Sequence, residues 1–132
     1  MGKYDSVRER TGWGVPGPGD TSRTADEIDE LIGLTRDEDV RVRKVAVTDL
    51  CPCHVRADFP HAWDRIIEMS GDPSPLIRRA VVHMLADGSP RERTVEIAAV
   101  LESMKNDRDR DVRRLVNRVL TAYRKTGRIN VL

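Results

Sequence analysis

A stretch of fourteen residues recurs three times in this chain at a constant spacing of thirty-five residues. The copies are Asp37–Leu50, Asp72–Leu85 and Asp107–Leu120, and no gap is needed to align them. A fixed period between twenty and fifty residues is typical of a stacked array, in which each unit buries its apolar side against its neighbours. The period therefore constrains the fold more strongly than any local propensity does.

Within each copy the apolar residues follow the spacing of one helical face. The first copy has them at 42, 45, 46, 49 and 50, which corresponds to i, i+3, i+4, i+7 and i+8. Asp49 is the exception, and we expect it to be exposed because an end repeat can leave one face uncovered. The five columns are Val42/Ile77/Val112, Val45/Ala80/Leu115, Ala46/Val81/Val116, Asp49/Met84/Val119 and Leu50/Leu85/Leu120.

A second set of apolar columns precedes each copy and is also spaced as in a helix. Each unit is therefore predicted to contain an A helix, a short turn around the repeated Asp, and a B helix. Local signals mark the ends: a capping box at Thr24, Ser-Pro starts at Ser74 and Ser89, and a stop at Gly127. The upstream columns are Ile28/Trp63/Ala98, Leu31/Ile66/Leu101 and Leu34/Met69/Met104.

The second helix of each unit resembles that of a HEAT repeat, in which an Asp is followed six residues later by an Arg in a Val-Arg-x-x-Ala frame. The resemblance covers about residues 25–126. It implies an all-α fold, a right-handed α-solenoid of three HEAT-like helical hairpins with B helices on the concave side. It also implies a structural ladder of Asp and Arg at the repeat junctions. The matching pairs are Asp37/Arg43, Asp72/Arg78 and Asp107/Arg113.

The chain divides into three parts on this interpretation. Residues 1–23 are rich in Gly and Pro and are expected to form a flexible N-terminal arm, which Trp13 could anchor. Residues 24–126 form the repeats, at about 24–52, 58–88 and 89–126. Residues 127–132 form a tail that is either exposed or packed on the third B helix.

Composition narrows the possible environments. No apolar run is long enough to span a membrane, and no signal peptide opens the chain. Two cysteines separated by one residue do not make a disulfide framework, so the cytoplasm is the expected compartment. Charge is uneven, with four basic and seven acidic residues in 1–34, and six basic and no acidic residues in 113–128.

The outward side of the B helices is the predicted binding surface. If the core takes the columns above, the opposite face carries three aligned cations and two valines. Such a face suits an acidic or amphipathic protein segment, and the chain is expected to act as a scaffold or adaptor without catalytic activity. With so few repeats, self-association is also possible. The predicted contact residues are Lys44, Val47, Thr48, Arg79, Val82, His83, Arg114 and Arg118.

Two other functions remain open at this level. The same cations could neutralise phosphates of a nucleic acid, although the net charge of the chain is only +1. The Cys-Pro-Cys-His segment offers soft ligands for zinc or iron, with Cys51, Cys53 and His54 joined by His83 of the next B helix. The alternative is a small apolar cysteine at a helix end, with no cofactor.

Overall fold

The computed structural model describes residues 24–50 and 59–132, and this part of the chain is helical with no strand. The repeated A and B segments of the sequence both form helices. The α-helices are α1 (Ala25–Leu34), α2 (Val40–Asp49), α3 (Pro60–Glu68), α4 (Pro75–Leu85), α5 (Thr94–Met104) and α6 (Arg110–Thr126). Short 3₁₀ turns extend α3 through Met69–Gly71 and precede α5 at Arg91–Arg93.

Side-chain caps and glycine fix several helix ends where the sequence predicts them. The Thr24 hydroxyl accepts a hydrogen bond from the Glu27 N–H at 3.2 Å, which starts α1. Ser74 precedes Pro75, the first residue of α4. Gly127 ends α6 with a φ of 70°, a left-handed conformation that glycine adopts without a steric penalty.

The start predicted for the third A helix at Ser89 is wrong. The helix α5 begins at Thr94, and Ser89 instead bonds to a residue of the C-terminal tail. The Ser89 N–H and hydroxyl both donate to the Asn130 Oδ1, at 2.9 and 3.1 Å. The N–H and hydroxyl of Ser89 are therefore bonded to Asn130, a residue distant in sequence, rather than to the first turn of a helix.

The helices pack in the order that the repeat predicts. Within each unit the A helix contacts its own B helix, as α1 with α2, α3 with α4 and α5 with α6. Between units, α4 lies between α2 and α6, so the B helices form one layer. The model thus agrees with an α-solenoid of HEAT-like units, and the right-handed superhelix and the repeat boundaries stay predictions.

The A helices supply the large side chains of the core. Trp63, Ile66 and Leu101 are almost fully buried, as their columns predict. In the third unit the core position is taken by Ile97, whereas Ala98 is only partly buried. The shift is confined to the start of α5, because Leu101 and Met104 stay buried in their predicted columns.

The predicted face of the B helices is buried at most positions, and in α2 and α4 the buried side extends one column beyond it. Val47 and Val82 have no exposed surface, and Ala80 and Leu115 are only partly buried. The expectation that Asp49 is exposed is also wrong, since only 4% of its surface is accessible. The column of Val47 faces the core, and the column of Val45 lies at its edge.

The C-terminal tail is packed rather than exposed. Ile129 is 2% exposed and belongs to the core. The Leu132 N–H donates to the Ala86 carbonyl oxygen at 3.0 Å, and Asn130 bonds to Ser89. These hydrogen bonds connect the tail to the end of α4. The predicted N-terminal arm, residues 1–23, and residues 51–58 lie outside the described residues.

Candidate protein-binding face

Four columns of the B helices share one face along the layer of α2, α4 and α6, and all of their members except buried Val45 are at least partly exposed. Relative to α4 they are positions 76, 79, 80 and 83, spaced i, i+3, i+4 and i+7, so they share one side of the helix. We call this surface the B-helix face. Its columns are Arg41/Leu76/Asp111, Lys44/Arg79/Arg114, Val45/Ala80/Leu115 and Thr48/His83/Arg118.

An apolar groove runs along the B-helix face beside α4. It has a volume of about 310 Å³, and its floor is formed by side chains of α4 and α6, including Leu76, Ala80 and Leu115. Leu76 is 52% exposed and therefore lies outside the buried core. A second hollow of about 250 Å³ lies on the α2 side of Leu76, next to Val40 and Val45.

Cations flank this groove. Lys44, Arg114 and Arg118 form no salt bridge with any carboxylate in residues 24–50 and 59–132. Arg79 contacts Asp111 on α6 at 3.4 Å, and both side chains are about half exposed. An exposed pair of this kind contributes little and can exchange for a ligand carboxylate. The groove therefore combines apolar surface with available positive charge.

His83 lies at the same face, with its Nε2 3.5 Å from the Asp87 carboxylate one helical turn away. Both side chains are about half exposed. His83 is thus a contact residue of the groove, where it lines the wall beside Met84. The face consequently offers the adaptable polar group that the sequence predicts.

A separate set of charged residues joins the units below this surface. The Arg43 Nε and Nη2 donate to the two oxygens of Asp72 at 3.0 and 3.2 Å, and its Nη1 donates to the Asp37 carbonyl at 3.0 Å. Arg78 repeats the arrangement with Asp107 at 2.9 and 3.0 Å. The ladder implied by the resemblance is therefore structural, and each Arg holds the Asp of the following unit.

The electrostatics of this ladder are visible at Asp107. Burial is the strongest influence on its pKa and acts to raise it. Hydrogen bonds from Arg78 and from the Asp109 N–H, with the charges of Arg78 and Arg108, outweigh burial and hold the pKa below its ordinary value. Asp107 is thus ionised at neutral pH and clamps α4 to the turn before α6.

The predicted contact residues divide into two groups in the structure. Lys44, Thr48, Arg79 and His83 line the groove, whereas Arg114 and Arg118 line the adjoining surface of α6. Val47 and Val82 were predicted to supply exposed apolar contacts, and this is wrong because both are fully buried between helices.

Leu76 was missed as a contact residue. Its column reads Arg41/Leu76/Asp111, and only the first and third members signal an exposed position. Together with Ala80 and Leu115, it provides the apolar surface that the two valines were expected to supply.

The predicted metal ligands are not brought together by the described residues. Cys51, Cys53 and His54 lie in the segment outside them, so the zinc or iron site stays a prediction. Among the residues that the structure does describe, no three His, Cys, Asp or Glu side chains are arranged to hold a metal ion. In the same part of the chain, no helix is both long enough and apolar enough to cross a lipid bilayer.

Comparison with known proteins gives one match. A family model described as HEAT repeats matches residues 28–121, which span most of the chain. No curated protein and no solved structure matches it.

Proposed function

Since the chain belongs to the HEAT-repeat family, we propose that it is a non-catalytic scaffold that binds an amphipathic segment of a protein partner along the B-helix face. HEAT repeats generally mediate protein–protein interaction, which fits a scaffold role. The finer proposal concerns which surface binds and what it selects. The groove beside Leu76 is the observation on which it depends.

Leu76 supports an apolar contact at the centre of this surface. Burying the exposed half of a leucine side chain gains about 1 kcal/mol at roughly 25 cal/mol per Å². The neighbouring Ala80 and Leu115 extend the apolar floor, so a partner side chain of leucine size can lie against all three. A helix or extended segment with one apolar edge fits this groove.

The flanking cations support an acidic edge on the same partner segment. Lys44 of α2 and Arg79 of α4 line the groove together with Leu76, and Arg114 continues the column along α6. Such charges mainly accelerate association and select the partner, and they weaken with salt. The proposed ligand is therefore an amphipathic segment with acidic residues beside its apolar ones, in the cytoplasm that the cysteine content favours.

Nucleic-acid binding is the less favoured function for this face. A phosphate backbone needs a continuous row of cations, whereas here Asp111 and Asp87 lie beside Arg79 and His83. The apolar floor would also be left without a complementary surface. The groove therefore suits a protein better than it suits a phosphate backbone.

Site-specific photocrosslinking tests this proposal. A photoreactive amino acid placed at Leu76 should give a discrete protein adduct in extract of the native cell. The matched control is Val95 on α5, which is 79% exposed but lies on an A helix, and which should not give that adduct. Adding Lys44→Glu/Arg79→Glu to the Leu76 probe should reduce the yield.

The same experiment can contradict the proposal. An identical adduct from both positions would mean nonspecific collision rather than a groove. An adduct from Leu76 that is removed by nuclease instead of protease would assign the face to nucleic acid. An adduct of this chain with itself would indicate self-association through the groove.

A further inference from the structure

The outer face of α6 is not built like the inner junctions between units. In α2 and α4 the column at Val47 and Val82 is fully buried against the following unit. In α6 this column is Asn117, and the position equivalent to buried Ala86 is Thr121, and both are exposed. A polar column replaces an apolar one, as expected for a surface that faces water or a polar ligand.

Arg113, the third of the repeated arginines, lies at the same end of the described chain. Its Nε and Nη2 have no carboxylate partner among the described residues. Arg113 keeps the anchor of Arg43 and Arg78, because its Nη1 donates to the Asp107 carbonyl at 2.7 Å. In Arg43 and Arg78 the Nε and Nη2 hold both oxygens of an Asp. Within residues 24–50 and 59–132, no carboxylate takes that position at Arg113.

A basic depression surrounds this guanidinium. It measures about 780 Å³ and is lined by five cations without any carboxylate: Lys105, Arg110, Arg113, Arg114 and Arg118. Asn117 crosses its floor and donates from Nδ2 to the carbonyl oxygens of Lys105 and Arg113, at 3.2 and 2.8 Å. Lys105 is partly neutralised by Glu102 at 3.3 Å, outside the depression. The surface therefore attracts anions strongly.

We propose that this end of α6 binds an aspartate or glutamate side chain of an acidic partner segment, with Arg113 as the bidentate fork. Arg43 and Arg78 each hold a carboxylate with the same Nε and Nη2 atoms and the same backbone anchor, so the geometry is specific for a planar carboxylate. The four other cations accommodate further acidic residues of the segment. This site shares Arg114 and Arg118 with the B-helix face, but it does not include the groove beside Leu76.

The occupant is argued from the polarity of the surface. A second copy stacked as a further unit would press against the column of Asn117 and Thr121, which lacks the apolar surface of Val47 and Val82. An acidic protein segment needs no such apolar surface. Its carboxylates can take the Nε and Nη2 donors of Arg113, while the remaining cations make looser contacts.

Fluorescence anisotropy with a labelled hexa-aspartate peptide tests the site. Arg113→Lys keeps the charge and loses the fork, so binding should weaken roughly tenfold. Arg91→Lys, at an exposed arginine outside the depression, is the matched control and should bind like the wild-type protein. Leu76→Asp should also leave this binding unchanged, which separates the site from the groove.

Three outcomes would overturn the proposal. These are no binding of hexa-aspartate, equal losses in Arg113→Lys and Arg91→Lys, and tighter binding of a polythymidine oligonucleotide of equal charge. The last outcome would assign the depression to a nucleic acid. Because Arg113 also anchors Asp107, the Nε–Hε resonance of wild-type Arg113 gives a second readout, and it should shift when the peptide is added.

Discussion

The side chain of Arg78 connects the second and third units. It is 5% exposed, donates to both oxygens of Asp107, and donates from Nη1 to the Asp72 and Pro73 carbonyls at 2.8 and 3.0 Å. All of these acceptors lie against the buried guanidinium of Arg78. A side chain in this position contributes to stability mainly because its removal leaves two carbonyls without this donor and leaves the Asp107 carboxylate with only the Asp109 N–H.

We expect Arg78→Ala to lower the free energy of unfolding by about 3 kcal/mol, since it leaves Asp107 as an uncompensated buried charge. Urea denaturation followed by circular dichroism measures this loss. The neighbouring Arg79→Ala is the matched control, and it should cost below about 1 kcal/mol because its pair with Asp111 is exposed. Equal losses in both variants would show that the ladder is not what holds the units together.

The depressed pKa of Asp107 makes stability depend on pH. The native state holds the carboxylate ionised, so its contribution is present above the unfolded pKa of about 3.9 and is lost as the pH falls through the lower folded value. Stability should therefore fall below about pH 4. In Asp107→Asn this part of the fall should disappear when urea midpoints are compared between pH 6 and pH 3. An unchanged slope would contradict the assignment.

At the scale of the helix, the sequence predicts the elements and most of the buried side of each B helix, but not which flanking column completes that side. Val45 and Val47 are both apolar and lie on opposite edges of the main stripe, as do Ala80 and Val82. A periodic pattern cannot choose between two flanking columns. The choice depends on the packing of α4 between α2 and α6, which is a tertiary property.

In the third copy, the residue types of the Val45 and Val47 columns differ, which distinguishes the two columns. There Leu115 stands in one column and Asn117 in the other, and the chain buries neither fully. Asn117 is exposed, and no unit of the described chain covers its column. The ladder pairs, by contrast, follow from sequence because the Asp and Arg positions repeat without exception.

The burial of Val82 and the exposure of Leu76 can be tested with two truncations on the same helix, α4. Val82→Ala should lower the free energy of unfolding by about 2 kcal/mol, because it removes two methyl groups from a fully buried site and leaves a cavity. Leu76→Ala should cost under about 1 kcal/mol, although it removes more atoms, because Leu76 is half exposed. Both follow from urea denaturation at neutral pH.

The reverse order of these two costs would restore the face predicted from sequence, with Val82 outward. A binding measurement separates the two residues further. Leu76→Ala should weaken photocrosslinking at Ala80, whereas Val82→Ala should reduce it only in proportion to any unfolded fraction. A buried residue and a contact residue are thereby distinguished within one helix.

Considered as a whole, the molecule is held together by contacts between units that are adjacent in the array. Such arrays unfold together only if each junction is strong relative to its own unit. The described chain has two ladder clamps, at Asp72 and Asp107, and the tail that returns from α6 to the end of α4. The tail therefore closes the last two units into one body.

Asn130 is the residue on which this closure depends. Its Oδ1 accepts from the Gly88 N–H at 2.8 Å and from both donors of Ser89, and its Nδ2 donates to the Ser89 carbonyl at 3.0 Å. We expect Asn130→Ala to cost about 2 kcal/mol because buried Ser89 loses its partners. Asn106→Ala, at an exposed asparagine without a described hydrogen bond, is the control and should cost almost nothing.

For the whole molecule, the closure by the tail determines whether urea unfolding occurs as one transition. If the tail joins the last two units, removal of Ile129–Leu132 should lower the urea midpoint of the entire chain and keep a single transition. Amide exchange should then accelerate in α4 and α6 together, because both lose the same closure. Faster exchange confined to α6 would instead mean that the tail stabilises only its own helix, and that the ladder at Asp107 alone carries the coupling between the units.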